Sequence, residues 1–547
     1  MLHGALPENM TTTLNVEIPV EDLHGHLSSS RRLTVGNVLR KAARAHGGET
    51  ALVGEDAYTY SELNRRVNRL ATALQSRGID YGDRLAIVSE NRTEYAEILY
   101  AGAKTGTLVA TQNWRLEEAE LRHCLGVADP DVVFISSEHD EKREWIANAD
   151  IDPLVVSFGD GGAALTYEKL LTEGTTDEPV PETSVTPEDG LAVLYTSGTT
   201  GLPKGAVISH RAFLARGQVS PFPHNGPDYV AWCPLFHMIS VEPLFGTAID
   251  GGTYHVIDGF RLEEILARHR AAEAPRMQLL PSTIEPVIEY AEDHEWNVDD
   301  YESVRYVGAM PDLVAPDKIA RVTELFSAKF INSFGSTETG SPPVTGNAIP
   351  AGVEVDDENL SKVESPMCDV KLVDEAWNEV DQGEVGEMAV RGPTLFSGYL
   401  DSAEANAGDF DDGWFRMGDM FVRNEDGTLD FVDRRTYLIK TGGENVYPAE
   451  VEQALMSHPA VSETIVVRVP DDRWGEVPKA YVATYDGATC SGPDLLDHLD
   501  GRIARYKHPH YVEFVQKADF PRSTTGKIVR PAVESWPTDD DRRVRDP

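Results

Sequence analysis

A strand-like run, Leu191 to Tyr195, opens directly into Thr196-Ser197-Gly198-Thr199-Thr200-Gly201-Leu202-Pro203-Lys204-Gly205. Glycines at 198, 201 and 205 let the main chain turn sharply and approach a ligand, and successive N–H groups can then surround an anion. Thr196, Ser197, Thr199 and Thr200 add hydroxyl donors, and Lys204 adds positive charge. The G-x-x-x-x-G-K-[ST] spacing of the nucleoside-triphosphatase loop is absent. By chemistry alone the segment fits either an anion cradle or a solvated Gly/Thr-rich turn. Further along, Glu338 and Asp419 are by residue type two carboxylates among the 91 acidic residues. On its own Glu338 reads as solvent-facing, and Lys527 as one exposed lysine among others.

The elements around these residues follow an α/β rhythm. Ser61 begins a run with Leu63, Val67, Leu70 and Leu74 on one face that ends at Gly78, the pattern of a capped amphipathic helix. A short apolar strand (Leu85 to Val88), a helix around Tyr95 to Lys104 and a strand (Val132 to Ile135) follow, which argues for parallel α/β layers. Residues 172–190 are rich in Thr, Pro and Glu and read as a surface connection, and the phosphate-loop-like segment is expected to lead into a helix. From about residue 364 the pattern turns to short strands with Gly-rich turns, and the last ~110 residues form a separate small α/β pattern. Pro448 stands where a first helical turn would start.

A chain of 547 residues is too long for one ordinary core, so two or more domains are expected. No apolar run is long enough to span a bilayer, and the first residues lack the basic-then-apolar order of a secretory signal; the expectation is a soluble, cytoplasmic enzyme. Cys124, Cys233, Cys368 and Cys490 form no C-x-x-C pair and read as buried free thiols rather than a zinc or disulfide framework. The net charge of −42, from 91 acidic and 49 basic residues, excludes nucleic acid and anionic lipid as partners. Acidic residues spread along the whole chain resemble the surface of a halophilic protein.

The string from Thr196 to Gly205 resembles the signature loop of the acyl-adenylate-forming superfamily, which includes acyl-CoA synthetases, adenylation domains of peptide synthetases and beetle luciferases. Further motifs resemble that family in its own order, over residues 33–531. Tyr58-Thr-Tyr-Ser-Glu-Leu63 and Ala101 to Leu116 come first, and Pro234-Leu-Phe-His-Met238 resembles the segment lining the acyl pocket. Gly308-Ala309-Met310-Pro311 departs from the usual Gly-Gly-Ala-Pro or Ser-Gly-Ala-Pro. Ser333-Phe334-Gly335-Ser336-Thr337-Glu338 resembles the Tyr-Gly-x-Thr-Glu motif, Gly413 to Asp419 the ribose motif, and Asp433-Arg434 the domain junction. Lys440-Thr-Gly442-Gly443-Glu444 to Pro448 and Pro521 to Lys527 resemble the Gly-rich loop and the terminal lysine motif of the small domain.

The resemblance implies an α/β fold: a large multi-layer domain over 1–433, with α/β subdomains and a small β-rich part, and a small mobile α+β domain over 434–547. It implies that Thr196, Ser197, Gly198, Thr199, Thr200, Gly201 and Lys204 hold the β- and γ-phosphates of ATP. Gly308, Ala309, Ser333, Phe334, Gly335, Ser336 and Thr337 then surround adenine and the α-phosphate, with Phe334 able to stack on the base. Asp419 and Arg434 take the ribose, and Glu338 with Thr196 takes Mg²⁺. Lys527 is the implied catalytic lysine, beside Glu338 and Thr196. His237, Met238, Val241 and Met310 are assigned to the acyl pocket, and Lys440, Gly442, Gly443 and Glu444 to a coenzyme A half-site. The implied reaction joins a small carboxylic acid, fatty or aryl, to AMP with release of pyrophosphate and then to the thiol of coenzyme A. A stand-alone enzyme that loads a carrier protein is the alternative, and oligomeric state is not readable. Thr436 and Tyr437 depart from the family at the hinge, where Asp or Lys and then Asp are common; Thr is stiffer at χ1, though the swing is a backbone event.

Overall fold

The computed structural model describes residues 33–159, 162–196, 202–218, 227–309, 314–340, 344–356, 359–442, 444–471, 473–522, 527–538 and 544. Ser197 to Gly201, Met310, Pro311 and Gly443, named above for their sequence, lie outside the described residues. The first part is built on a seven-stranded sheet, in order Leu165–Thr166, Leu154–Phe158, Val132–Ser136, Arg84–Val88, Leu108–Gln112, Gly190–Thr196 and Lys204–Ser209. All neighbours are parallel except the last pair. Alternate residues of one strand feed two cores: Leu85 and Ile87 enter one apolar cluster, Ala86 and Val88 another on the opposite face. A sheet covered on both faces accounts for the unbroken apolar runs Leu85–Val88 and Val132–Ile135 within its strands.

The helix expected from Ser61 spans Tyr60–Ser76 and is capped two residues earlier than the sequence suggested. Thr59 accepts from the Glu62 N–H while Glu62 accepts from the Thr59 N–H, a reciprocal capping box. A second correction concerns the Gly-rich loop. It leads into the strand Lys204–Ser209, antiparallel to Gly190–Thr196, and the helix starts only at His210. Val207 and Ile208 favour a pleated, half-buried surface, and this overrides the expectation of a helix directly after the loop.

The second large sheet begins with three parallel strands, Arg276–Gln278, Tyr306–Ala309 and Lys329–Ser333. It continues antiparallel through Val344–Ile349, Lys362–Glu364, Leu429–Arg434, Trp414–Arg423, Val385–Arg391 and Asp369–Val373. A smaller sheet pairs Thr50–Val53, Ala57–Thr59, Tyr229–Ala231 and Tyr254–Val256. The last sheet starts at Ile439 and has its own apolar cluster, including Val446, Val451, Val466, Val482 and Leu495. Pro448 begins the helix Pro448–Met456, as its fixed φ and missing N–H favour. Cys124, Cys233 and Cys368 are buried free thiols, while Cys490 is half-buried. Among the described residues no helix is long and apolar enough to cross a membrane.

His210 shows how tightly the first part is knit. Its Nδ1 accepts from the Val35 N–H at 3.2 Å, so that nitrogen must be unprotonated. Burial pushes the imidazole down to about 4. A histidine with a depressed folded-state pKa contributes stability that is fully present above its unfolded value near 6.5 and lost as pH falls through about 4. The loss amounts to about 3 kcal/mol. His210→Gln should flatten this part of the curve: its melting temperature, measured at fixed salt, should fall less than the parent's between pH 6.5 and 4. Parallel curves would rule out His210 as a source of acid sensitivity.

Candidate active site

A cavity of about 2590 Å³ opens where the carboxyl ends of parallel strands from the two large sheets converge with the last sheet. Loops after such strand ends are where α/β sheets place ligands. Thr196 ends one strand and Ala309 another, and the loop Phe334 to Glu338 follows a third that ends at Ser333. Thr196, Lys204, Ala309, Phe334, Gly335, Ser336, Thr337, Glu338, Asp419, Arg434 and Lys527 all line this one cavity, together with His237 and Met238. Residues more than 300 positions apart are thus brought together.

Gly308 stands one residue behind the wall, and its carbonyl accepts from Leu279 N and Gln278 Nε2. Val241 is a correction. It is fully buried and packs into the apolar core rather than lining the cavity, because it faces the inner side of the helix Met238–Asp250. Lys440, Gly442 and Glu444 are exposed and are absent from the cavity wall. Gly442 holds φ +59°, its N–H donates to Trp474 O at 2.8 Å, and the indole packs where a Cβ would sit.

The loop carrying Glu338 is fixed by Arg216, a buried cation that the sequence reading did not single out. Its guanidinium donates to three carbonyl oxygens: Thr394 at 2.8 Å, Thr337 at 3.2 Å and Glu338 at 2.9 Å. Burial pulls the pKa of Arg216 down, and Glu242 and Glu338 oppose this. Gly340 makes the approach possible. It adopts φ +77°, and a Cβ there would lie 2.6 Å from Arg216 Cδ. Tyr399, also missed, donates from its hydroxyl to Glu338 Oε1 at 2.8 Å. The signal was thin in both cases, since an Arg in a helix and a Tyr after Gly are unremarkable by type.

Asp419 and Arg434 face each other across an antiparallel strand pair, with Arg434 Nε 3.3 Å from Asp419 Oδ1. Burial raises the Asp419 pKa, while Arg434 and Lys527 pull it back down. The buried carboxylate of Glu387 braces the pair from the next strand, accepting from Gly418 N at 3.0 Å and Arg435 Nη1 at 3.1 Å. Phe334 packs edge-on against Phe421, with ring centroids 5.0 Å apart.

On the other side of the cavity His237 caps the helix Met238–Asp250, its Nδ1 accepting from Ile239 N. Burial, with the nearby Lys527 charge, pushes the imidazole down to about 4. Pro243 within that helix cannot supply the N–H that the Ile239 carbonyl would ordinarily accept. The Tyr229 hydroxyl takes its place at 2.9 Å. Ile239, Glu242, Arg276, Gln278, Leu279 and Leu280 complete this end.

The last sheet is docked close to the turn Arg435–Tyr437 that leads into it. Asp433 Oδ2 accepts from Ala449 N at 2.8 Å, the first turn of the helix Pro448–Met456. Burial raises the Asp433 pKa to about 6, with Arg530 opposing. Arg530 stacks over the Tyr437 ring at 4.7 Å, and Arg468 Nη2 donates to Thr436 O at 2.7 Å. The two hinge departures are therefore engaged through a ring face and a main-chain carbonyl.

Comparison with known proteins agrees with this architecture. The profile of the AMP-binding enzyme family matches residues 39–400, and that of the AMP-binding enzyme C-terminal domain matches residues 450–527. Feruloyl-CoA synthase of Amycolatopsis sp is 33% identical over 507 residues, which cover 90% of this chain and 97% of the relative. Indoleacetate–CoA ligase of Aromatoleum aromaticum is 32% identical over 490 residues, covering 88% and 94%. The structure of o-succinylbenzoate CoA synthetase from Bacillus subtilis, in complex with its acyl-adenylate intermediate, superimposes with a TM-score of 0.76 at 25% identity over 92% of this chain and 98% of that one. A two-part α/β cleft with this set of groups is that of an adenylate-forming enzyme. The chain belongs to the AMP-binding enzyme family, and it is an AMP-forming acyl-CoA ligase.

Gly340→Ala tests the clamp. The added methyl both strains a left-handed backbone and displaces the Arg216 side chain. The variant should lose on the order of 2 kcal/mol of stability and show slower acid-dependent pyrophosphate exchange. Exchange at the parental rate in a folded variant would mean that the Arg216 clamp does not set the site.

Proposed function

We propose that the protein activates an aryl carboxylic acid as its acyl-adenylate and then passes the acyl group to coenzyme A, with the residues lining the cavity in the following roles. The single observation that carries the assignment is the convergence of Lys527, Glu338, Asp419 and Arg434 on one cavity that also receives Thr196 and Lys204. Thr196, Lys204 and the loop between them hold the β- and γ-phosphates. Phe334 and the loop to Thr337 hold adenine and the α-phosphate, and Asp419 with Arg434 holds the ribose hydroxyls. Among the described residues no group of three or more His, Cys, Asp or Glu could hold a metal alone. A lone Glu338 carboxylate with the Thr196 hydroxyl suits Mg²⁺, an ion that keeps few protein ligands and arrives on ATP phosphates. Bound there, Mg²⁺ would neutralise phosphate charge.

In the first half-reaction a carboxylate oxygen of the acid forms a bond to the α-phosphorus and the bond to pyrophosphate breaks. Two anions must meet, and Lys527 supplies positive charge at the reacting oxygens. The ribose, adenine and phosphate contacts hold the attack in line. In the second, the thiol sulfur of coenzyme A attacks the acyl carbonyl and AMP leaves. Lys440, Gly442, Gly443 and Glu444 serve that step after the part beyond residue 433 turns about Arg435 to Tyr437. The arrangement with Lys527 inside the cavity and Lys440 outside it fits the first half-reaction. The names of the aryl-acid ligases above and the mixed pocket of His237, Met238, Leu279, Leu280 and Gln278 favour aryl over fatty acids. The −42 surface fits a cytoplasm of high salt.

A panel of carboxylic acids, read by AMP release with coenzyme A at low and high salt, tests the substrate class. Hydroxylated cinnamic and arylacetic acids should turn over faster than C8 to C16 fatty acids; the reverse order would overturn the aryl assignment. Lys527→Ala should slow adenylation on the order of a hundred- to a thousandfold. Purified acyl-adenylate supplied with coenzyme A should still give thioester at close to the parental rate. Equal loss in both half-reactions would remove Lys527 from the role given to it.

A further inference from the structure

We propose that Tyr399 is a positioning residue that aims the Glu338 carboxylate and ties it to Lys204, so that the metal-accepting and phosphate-binding groups keep a fixed spacing. The inference rests on the reading of Glu338 as the Mg²⁺ ligand and deepens it. Tyr399 stands on a segment that joins the two elements mechanically. On one side that segment zips onto the strand following the phosphate loop: Ser397 N donates to Val207 O at 2.8 Å, Val207 N to Gly398 O at 2.9 Å and Leu400 N to Gly205 O at 2.8 Å. On the other side Phe396 N donates to Glu338 O at 2.8 Å. A shift of either element is therefore transmitted to the other.

The Tyr399 side chain repeats this connection at the level of charge. Its hydroxyl donates to Glu338 Oε1, while Lys204 Nζ lies 4.6 Å from its ring centroid, the geometry of a cation held over an aromatic face. The ring is itself wedged edge-on against Phe396, centroids 4.9 Å apart, and is nearly buried. Asn406 holds the main chain in place, accepting from Tyr399 N and donating to Tyr399 O, both at 2.8 Å. Burial and the Glu338 carboxylate push the phenol pKa well up, so the hydroxyl remains a donor throughout the working pH range. One carboxylate oxygen is thereby oriented by a neutral donor. A second fixed charge at that point would compete with the metal for the carboxylate; a phenol does not.

The test is a cycle of Tyr399→Phe, Glu338→Gln and the double variant, with acyl-adenylate formation followed against Mg²⁺ at saturating ATP and acid. Tyr399→Phe keeps the ring, its packing and the cation contact, and removes only the hydroxyl. It should raise the Mg²⁺ concentration for half-maximal rate roughly tenfold or more, leave the melting temperature close to the parent's and be rescued in large part by excess Mg²⁺. In the Glu338→Gln background the same substitution should add no further shift, because the charged ligand that the hydroxyl orients is already gone. If Tyr399 merely fills space, Tyr399→Phe should leave the Mg²⁺ midpoint where it is in the parent, and that result overturns the inference. If Glu338→Gln moves the midpoint and Tyr399→Phe does not, Tyr399 alone is wrongly assigned. If Glu338→Gln leaves the midpoint unmoved, the placement of Mg²⁺ at Glu338 falls, and this inference with it. Tyr399→Leu, which also removes the face beneath Lys204, should raise KM for ATP beyond the Phe variant.

Discussion

A guanidinium buried to 2% exposure is costly unless its donors are satisfied, and Arg216 satisfies them with main-chain carbonyls of two separate segments. Two of those carbonyls belong to Thr337 and Glu338, the third to Thr394. The cation thus converts its own desolvation into a constraint on where the Glu338 loop can lie. The segment beginning at Thr394 carries Phe396 and Tyr399, which then hold Glu338 through its carbonyl and its carboxylate. Gly340 has to be glycine for this to form, since any side chain would occupy the space of the arginine. Remove the buried cation and the loop has no reason to keep its carbonyls turned inward.

The second organising device is strand register. Asp419 and Arg434 are directly opposite in an antiparallel pair, so their meeting is set by main-chain hydrogen bonds before any electrostatics act. Glu387 on the neighbouring strand then takes Gly418 N–H and Arg435, the residues immediately flanking that pair. The same strand that delivers Arg434 runs through Asp433 to the hinge, where the Asp433 carboxylate accepts from the first turn of the next helix. The Asp419–Arg434 pair and the docking of the last sheet consequently depend on one strand. Any rotation about Arg435 to Tyr437 would have to break or rebuild the Asp433 contact and the Arg530–Tyr437 stack.

Much of this was legible in the sequence because the chemistry sits in short contiguous strings. Phe334 to Glu338, Asp419 with Arg434, and Lys527 could each be named from local residues and order, and the structure brings them to one cavity. Strands such as Val132–Ser136 were visible because both faces are buried and the residues from Val132 to Ile135 are all apolar. What could not be read depended on contacts between distant segments. Arg216 acts on residues more than 120 positions away and Tyr399 on one 61 positions away, and neither lies in a string whose composition hints at a ligand. Val241 was misplaced for the opposite reason: its neighbours His237 and Met238 line the cavity, but which side of a helix faces it depends on what packs behind. The strand after the Gly-rich loop was missed because Lys-Gly-Ala-Val-Ile-Ser has too few residues to separate a period of two from the start of a helix.

Charge raises a last question, how a chain of net charge −42 binds a polyanion. The answer lies in the different distances over which the charges act. Surface carboxylates repel an approaching anion only within the screening length, about 8 Å at physiological ionic strength and about 3 Å in molar salt. Lys204, Arg216, Arg434 and Lys527 line the cavity itself, within direct reach of any anion held there, where the separation is shorter than the screening length. Two of them are paired with acids: Lys204 lies 3.9 Å from Asp409, and Arg434 lies 3.3 Å from Asp419. Raising the salt therefore removes the repulsion outside faster than the attraction within. An acidic surface and a cavity that gathers Lys204, Arg434 and Lys527 are compatible for that reason.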